Sequence, residues 1–587
     1  MKNGSIRDEM LPDPLQWFGD TLTAAARGRQ LQDGRVADDG VIPEGHTATR
    51  RLCAGVYLDR EFRQRLLRDI YNCRKRRVAP SYGYDLLPVM CHAWRAWWLE
   101  LARDAVAAAI FVAAVMMAPL GTLLMVGLLA MWYTLRACWR VLVESTRTLR
   151  KRKSHDYLRG LRFRAKLAAC GLLGSAIVVA GSVLAMRSDP QGSGLRGGLV
   201  QIGLLVALFV LLFAVVGIVR QQLLDRLHYP SAFKSSRRSR RLSTLHRQQH
   251  HPVTVYSGYR PFVGSGLDVH RWSFAQRIIR KRGIGQDRDE EFPQSRPPFK
   301  TSEIVGYLKA SIERLASTAH SETRLPGLMV RDHVFIDGMY VCNVPDALSD
   351  PPSSTVLDEI MAKPREEARY HIACQVEAWD GELVTTVFVH VSLQGRTLYV
   401  ELSTYALLPT PPRFRVIDEV GGTGRKAAPR MVLKCLSELP DVLHAPRRLV
   451  AAPKDLVNAY WAQRDTSSKI SKRRDIGAQI SAREIAGNGI ASEPDEVSAP
   501  RRSFRYDDET SYFQLLDVTR HSKIIERRLL AGIEEFLKTK GVDTSEFAQR
   551  AEAILNYGML NIGHGGTNIV GGDLNTGYQP SSVGLAE

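Results

Sequence analysis

Three stretches of the chain carry no charged residue: Ala105–Leu135, Leu167–Met186 and Gly197–Val219. Each exceeds the roughly 18 residues that suffice for a transmembrane helix. The first holds 31 residues, about 46 Å as a single helix against a hydrocarbon core of about 30 Å. Pro119 and Gly121 stand near its centre. Turning the chain back there predicts four spans, about 97–118, 120–142, 166–186 and 198–219, arranged as two helical hairpins. Small residues four apart in the third run, Gly171/Ser175 and Ala176/Ala180, predict close helix packing. No ionisable residue lies in the predicted membrane core, which argues against an ion-coupled transporter.

Outside the runs the periodicity changes. Leu58–Arg77 places Phe62, Leu66, Leu67, Ile70 and Tyr71 on one helical face opposite many arginines, so 51–96 reads as a basic amphipathic helical segment. Arg369–Trp379, Leu383–Leu393 and Thr397–Leu408 are rich in β-branched and aromatic residues and are separated by Asp380-Gly381 and Gln394-Gly395. That pattern predicts a three-strand antiparallel meander. A further hairpin is expected about Asp337-Gly338, and helices over Ser302–Ser317, Pro429–Leu439 and Pro453–Trp461. Together these make an α+β domain over 251–465. A linker follows at 466–510, then a helical pair at 511–557, opened in its second helix by Asp543-Thr-Ser-Glu546, a capping-box-like signal. Residues 1–50 lack apolar periodicity and read as a disordered N-terminus.

Charge orients this arrangement. Residues 1–250 hold 38 Lys/Arg against 18 Asp/Glu, whereas 251–587 are nearly neutral. The basic excess therefore flanks the apolar runs, as expected of cytoplasmic loops, and no nucleic-acid partner is expected. The cluster Arg150, Lys151, Arg152 and Lys153 marks one such loop, and the juxtamembrane segment 221–250 marks another. Trp94, Trp97 and Trp98 at one end of the first run, with Trp132, Tyr133 and Trp139 at the other, have the character of headgroup-level anchors. The expectation is a multidomain integral membrane protein of a bacterial inner membrane. It is multi-pass, with both termini cytoplasmic and anionic lipid headgroups at its basic flanks. Met1–Asp20 shows no signal-peptide pattern. The eight cysteines form no CxxC pair, as in a reducing compartment.

Motifs for chemistry are weak. Val420–Lys426 lacks phosphate-loop spacing, and Gly264-Ser265-Gly266 lacks both GxSxG and GxGxxG. His246, His250 and His251 have helical spacing but no nearby acid or cysteine in sequence. His390 lies on a strand and reads as structural. No catalytic, cofactor-binding or metal residue is assigned, and no cofactor is expected.

The end of the chain is more distinctive. Residues 558–578 repeat Gly and Asn between short apolar pieces, and no Lys or Arg follows Arg550. Low charge, asparagines and β-branched residues favour cross-β stacking. Leu560-Asn561-Ile562-Gly563, followed by Asn568, Ile569 and Val570, resembles the amyloid-type signalling motifs of the RHIM class and its bacterial counterparts. Asn561 stands where that class has Gln, and Asn568 comes two residues late. The resemblance implies self-association, or recruitment of a protein partner, through the tail 558–587. The functional expectation is a non-enzymatic membrane platform that presents the α+β domain and this tail. Two alternatives are a membrane effector or pore former triggered through the tail, and an anchored enzyme with its site in 251–465.

Overall fold

A computed structural model describes residues 47–73, 75–117, 119, 122–128, 130–132, 134–135, 138–139, 171–184, 194–228, 239–280, 297–317, 324–349, 352–363, 367–418, 427–464, 475–487 and 511–556. Its centre is a six-stranded mixed sheet, built from β1 (Val253–Tyr256), β2 (Leu267–Arg277), β3 (Leu328–Asp337), β4 (Ala368–Ala378), β5 (Leu383–Gln394) and β6 (Thr397–Leu407), in the order β1-β3-β4-β5-β6-β2. The predicted meander is β4–β5–β6. Trp379 and Asp380 both have positive φ at its first turn and Gly395 has it at the second, matching the hand of tight hairpin turns.

Two expectations for the sheet need correction. It is mixed rather than purely antiparallel, because β1 runs parallel to β3. The chain after Asp337 continues into 3₁₀ turns, Val341–Asn343 and Pro345–Leu348, not a return strand.

One face of the sheet is closed by α6 (Thr301–Ser317) and α11 (Tyr512–Thr539). Both are amphipathic. Ile304, Leu308 and Ile312 of one share a core with Ile525, Leu529, Ile533 and Phe536 of the other. The predicted helical pair, α11 and α12 (Ser545–Asn556), thus belongs to the core of the sheet rather than to a separate unit. Part of the expected linker belongs there too. Ala478 bridges Tyr256 in parallel fashion, Ile476 is fully buried, and Ser481 and Glu484 form a capping box that starts α10 (Ala482–Ala486). Arg483 donates to the carbonyls of Gly381, Glu382 and Leu408.

The other face is covered by Tyr82 and by the segment following β1. Phe262 stacks on Phe388, 4.8 Å between centroids, and meets Phe335 edge-on. Gly266 ends that segment with φ +94°, and a Cβ there would lie 2.2 Å from the Ala406 carbonyl oxygen. Glycine is required at this approach. Gly266→Ala is expected to cost about 2 kcal/mol in chemical denaturation by forcing β2 away from β6.

A second core is helical. It comprises α1 (Thr47–Leu58), α2 (Arg60–Arg65) with a π turn at Leu66–Tyr71, the first part of α3 (Leu86–Met117), the end of α4 (Gly194–Arg226), α5 (Arg240–Gln249), α8 (Ala428–Ser437) and α9 (Ala445–Arg464). On the sheet side, α7 (Ser354–Ala362) lies against β4 and α6 and adds Ile360 to the sheet's core. The 51–96 segment is therefore packed rather than solvated: Leu52, Phe62, Leu66 and Met90 are buried. Arg241 donates to the carbonyls of Ile70, Tyr71 and Cys73, satisfying groups that a helix end leaves unpaired.

The four-span bundle is overturned by this arrangement. Among the described residues one helix, Ile202–Arg226 within α4, is long and apolar enough to cross a membrane. The predicted first span is the outer part of α3, whose inner part is enclosed by the helical core. Within the described residues Thr122–Trp132 and Gly171–Leu184 are apolar helices of 10–17 residues, against the roughly 20 that a span needs. Hydropathy counts apolar side chains without registering what packs on them, so it does not separate the enclosed inner part of α3 from the exposed apolar flank that follows. The expectations of a multi-pass protein, and of an inner-membrane topology with both termini cytoplasmic, fall with the bundle.

Candidate functional site

Where α3 and α4 leave the helical core, ionisable residues converge. Arg103 and Asp104 on α3 are 4% and 1% exposed. Asp104 accepts from Arg103 Nη2 at 2.9 Å and Arg448 Nη2 at 2.8 Å, with Arg448 Nε on its second oxygen. Glu438, just beyond α8, takes Arg220 Nη1 at 2.7 Å and Arg103 Nη1 at 3.1 Å. Glu100 pairs with Arg60 and Arg63. In this network the guanidinium groups of Arg60, Arg63, Arg103, Arg220 and Arg448 face the carboxylates of Glu100, Asp104 and Glu438, a positive excess of two. Burial alone would raise the Glu438 carboxyl; Arg220 and Arg103 hold it below the usual carboxylate range. A small crevice of about 10 Å³, room for roughly one water, opens among Tyr57, Arg63, Leu99, Glu100, Arg103 and Arg220. Its walls favour anions, and they present no nucleophile with an adjacent base.

The sheet carries a second titratable group. His333 and His371 are cross-strand partners, and the His371 and His390 rings lie 5.1 Å apart. His333 Nε2 meets Thr254 Oγ1 at 2.8 Å, and His390 Nδ1–H donates to the Tyr370 carbonyl at 2.7 Å. Burial pushes all three rings down: His333 to about 3, His371 well below the ordinary histidine range, and His390 in the same direction. They are neutral at pH 7; His333 and His371 pack against Phe335 and Phe388, and His390 against His371 and Tyr399. This makes them a structural row and not a set poised for proton transfer.

A third cluster joins distant segments. Asp85, His246 and His250 bring one ligand atom each within 4.8 Å of one another. Sequence spacing shows the two histidines; Asp85, 161 positions before His246, carries no local signal linking it to them.

The residues singled out from sequence are distributed as follows. Trp94 is 4% exposed and packs edge-on against Tyr71, with Trp97 and Trp98 continuing the series. It is a core residue, not a surface one. Trp132 and Trp139 are exposed. Gly171 sits against Thr134, where a Cβ would come to 2.8 Å from Cγ2, and Ser175 is buried, donating to the Leu172 carbonyl. Ala176 and Ala180 are exposed. Tyr133, the cluster Arg150–Lys153, Val420–Lys426 and the tail residues Leu560, Asn561, Ile562, Gly563, Asn568, Ile569 and Val570 lie outside the described residues. Glu100, Arg103 and Asp104, close together in sequence, pair as their charges at the start of the first apolar run imply, whereas Glu438, Arg220 and Arg448 reach them from distant segments.

No curated protein and no solved structure matches the chain. The family model of the AbeC-like domain matches residues 271–571, from early β2 through both C-terminal helices and into the tail. That is just over half of the sequence, and the chain belongs to the AbeC-like domain family.

Proposed function

We propose that this protein is a non-enzymatic platform held at a lipid surface by a single apolar helix. It displays its mixed-sheet domain and recruits protein partners, or further copies of itself, through the Gly/Asn-rich tail. The observation that carries the lipid contact is the flank of α4. Val200, Leu204, Val206, Leu208, Val210, Leu211, Val215 and Ile218 are all exposed, on a stretch without charge between residues 197 and 219. Taking each out of water is worth roughly 1.5 kcal/mol or more. The part of this helix before Arg220 enters the helical core, residues 202–219, extends about 27 Å, close to a hydrocarbon core of about 30 Å. For the tail, the RHIM-like Leu560–Gly563 pattern and the low charge support assembly.

The test is a cross-linked pull-down from native membranes, comparing the full chain with one ending at Asn556, which keeps α12 whole. The expected result is that the truncated chain still floats with lipid but loses its specific partners or its self-association. An unchanged set of partners would remove the tail from the reading. A full chain that stays with the aqueous fraction would remove the lipid contact.

A further inference from the structure

Asp85 precedes α3, and His246 and His250 lie at the end of α5. One turn apart, the two histidines share a face. Between the three side chains stands the amide nitrogen of Gln249. It is 2.7 Å from Asp85 Oδ1, 3.2 Å from His246 Nδ1 and 3.0 Å from His250 Nε2. An amide nitrogen has two hydrogens, so it cannot satisfy three acceptors at once. Its orientation is fixed, because Gln249 Oε1 accepts the backbone N–H of Leu86 at 2.9 Å. Gln249 itself is 2% exposed. Three acceptors therefore converge on one point occupied by a neutral donor of insufficient capacity.

We infer that Asp85, His246 and His250 form a binding site for one divalent transition-metal ion of the zinc class. Two imidazole nitrogens and one carboxylate oxygen are a donor set for Zn²⁺, Co²⁺ or Ni²⁺; Mg²⁺ and Ca²⁺ select oxygen. An ion at this point displaces the Gln249 amide, which gives up its bond from the Leu86 N–H, and metal–ligand distances of about 2.0–2.2 Å then require the three ligands to draw in by about 1 Å. His250 is exposed and Asp85 and His246 are half-buried, which leaves them room to do so. Three protein ligands leave a fourth position for water. The ion would clamp the start of α3 to the end of α5. It would thereby link the helix that runs into the apolar region with the segment leading to β1. This site is independent of the lipid and tail contacts proposed above.

The experiment uses the purified full chain, stripped of metal and titrated with Zn²⁺ in competition with a chromophoric chelator. Thermal unfolding is followed in parallel. One Zn²⁺ per chain is expected, retained against a large excess of Mg²⁺, with a higher unfolding midpoint in its presence. His250→Ala removes an exposed ligand without opening the core, and should weaken binding at least tenfold and abolish the midpoint shift. His444→Ala, an exposed histidine outside the cluster, should do neither. Failure to bind Zn²⁺ stoichiometrically would overturn the inference. So would equal affinity in the wild type and His250→Ala, or displacement by equimolar Mg²⁺.

Discussion

Asp104→Asn is expected to destabilise the protein by about 3–5 kcal/mol, the cost of removing one partner from a buried ion pair. The side chain is almost fully enclosed, and both of its oxygens are taken by guanidinium groups of Arg103 and Arg448. Asparagine keeps the shape but turns one oxygen into an amide donor. That donor faces two cations, which already outnumber the anions of the network. Arg103 keeps Glu438 and Glu100, whereas Arg448 loses the carboxylate it grips with Nε and Nη2. Glu546→Gln is the control. It breaks the pair with Arg550, whose two side chains are 53% and 41% exposed, and exposed pairs contribute about 0–1 kcal/mol. Chemical denaturation of the two variants should separate them clearly. A loss below about 1 kcal/mol for Asp104→Asn would show that the network is solvated and not buried.

Mild acid should weaken the fold well before carboxylates titrate. His333 is held near 3 in the folded protein by burial and titrates at about 6.5 when unfolded. Its contribution is therefore complete above about pH 6.5 and is lost as pH falls from there toward 3, because the unfolded chain binds the proton first. Between pH 6.5 and 5 this one residue removes about 2 kcal/mol. His371 and His390 shift in the same direction and add to the loss. Glu438, held below the usual carboxylate range, contributes only at lower pH, so the interval from pH 7 to 5 isolates the histidines. Denaturation midpoints measured across it should fall steadily. A His333→Gln variant should show a shallower slope, and a flat profile in the wild-type protein would mean that the row is hydrated.

The sequence announces those elements whose signal is local. The meander from β4 to β6 is legible because β-branched runs alternate with Asp-Gly and Gln-Gly turns, and α6 and α11 because their apolar residues repeat every three or four positions. β1 is only four residues long and β2 is interrupted by His270, Arg271 and Ser273, so neither stands out. The apolar runs were read without knowledge of their neighbours. Trp94 could have been an interface anchor until Tyr71 covered it. The candidate sites are long-range by construction. Glu438 meets Arg103 across 335 positions and Asp85 meets Gln249 across 164. No spacing rule reaches so far.

The placement of the sheet's two outer strands also sets the order in which the chain can finish folding. β1 and β2 are made early, yet β1 receives its outer bridge from Ala478, and the end of β2 is met at Arg280 by Val542. A ribosome adding about 5–20 residues per second needs about 10–45 s to travel from Tyr256 to Ala478, and longer to reach Val542. Until then all six strands can exist with their rims unclosed, and such rims invite pairing with other nascent chains. The late segments that blunt them make closure of the rims lag well behind formation of the strands. Contacts this distant in sequence form slowly, which lengthens the interval in which those rims stand open to neighbouring chains.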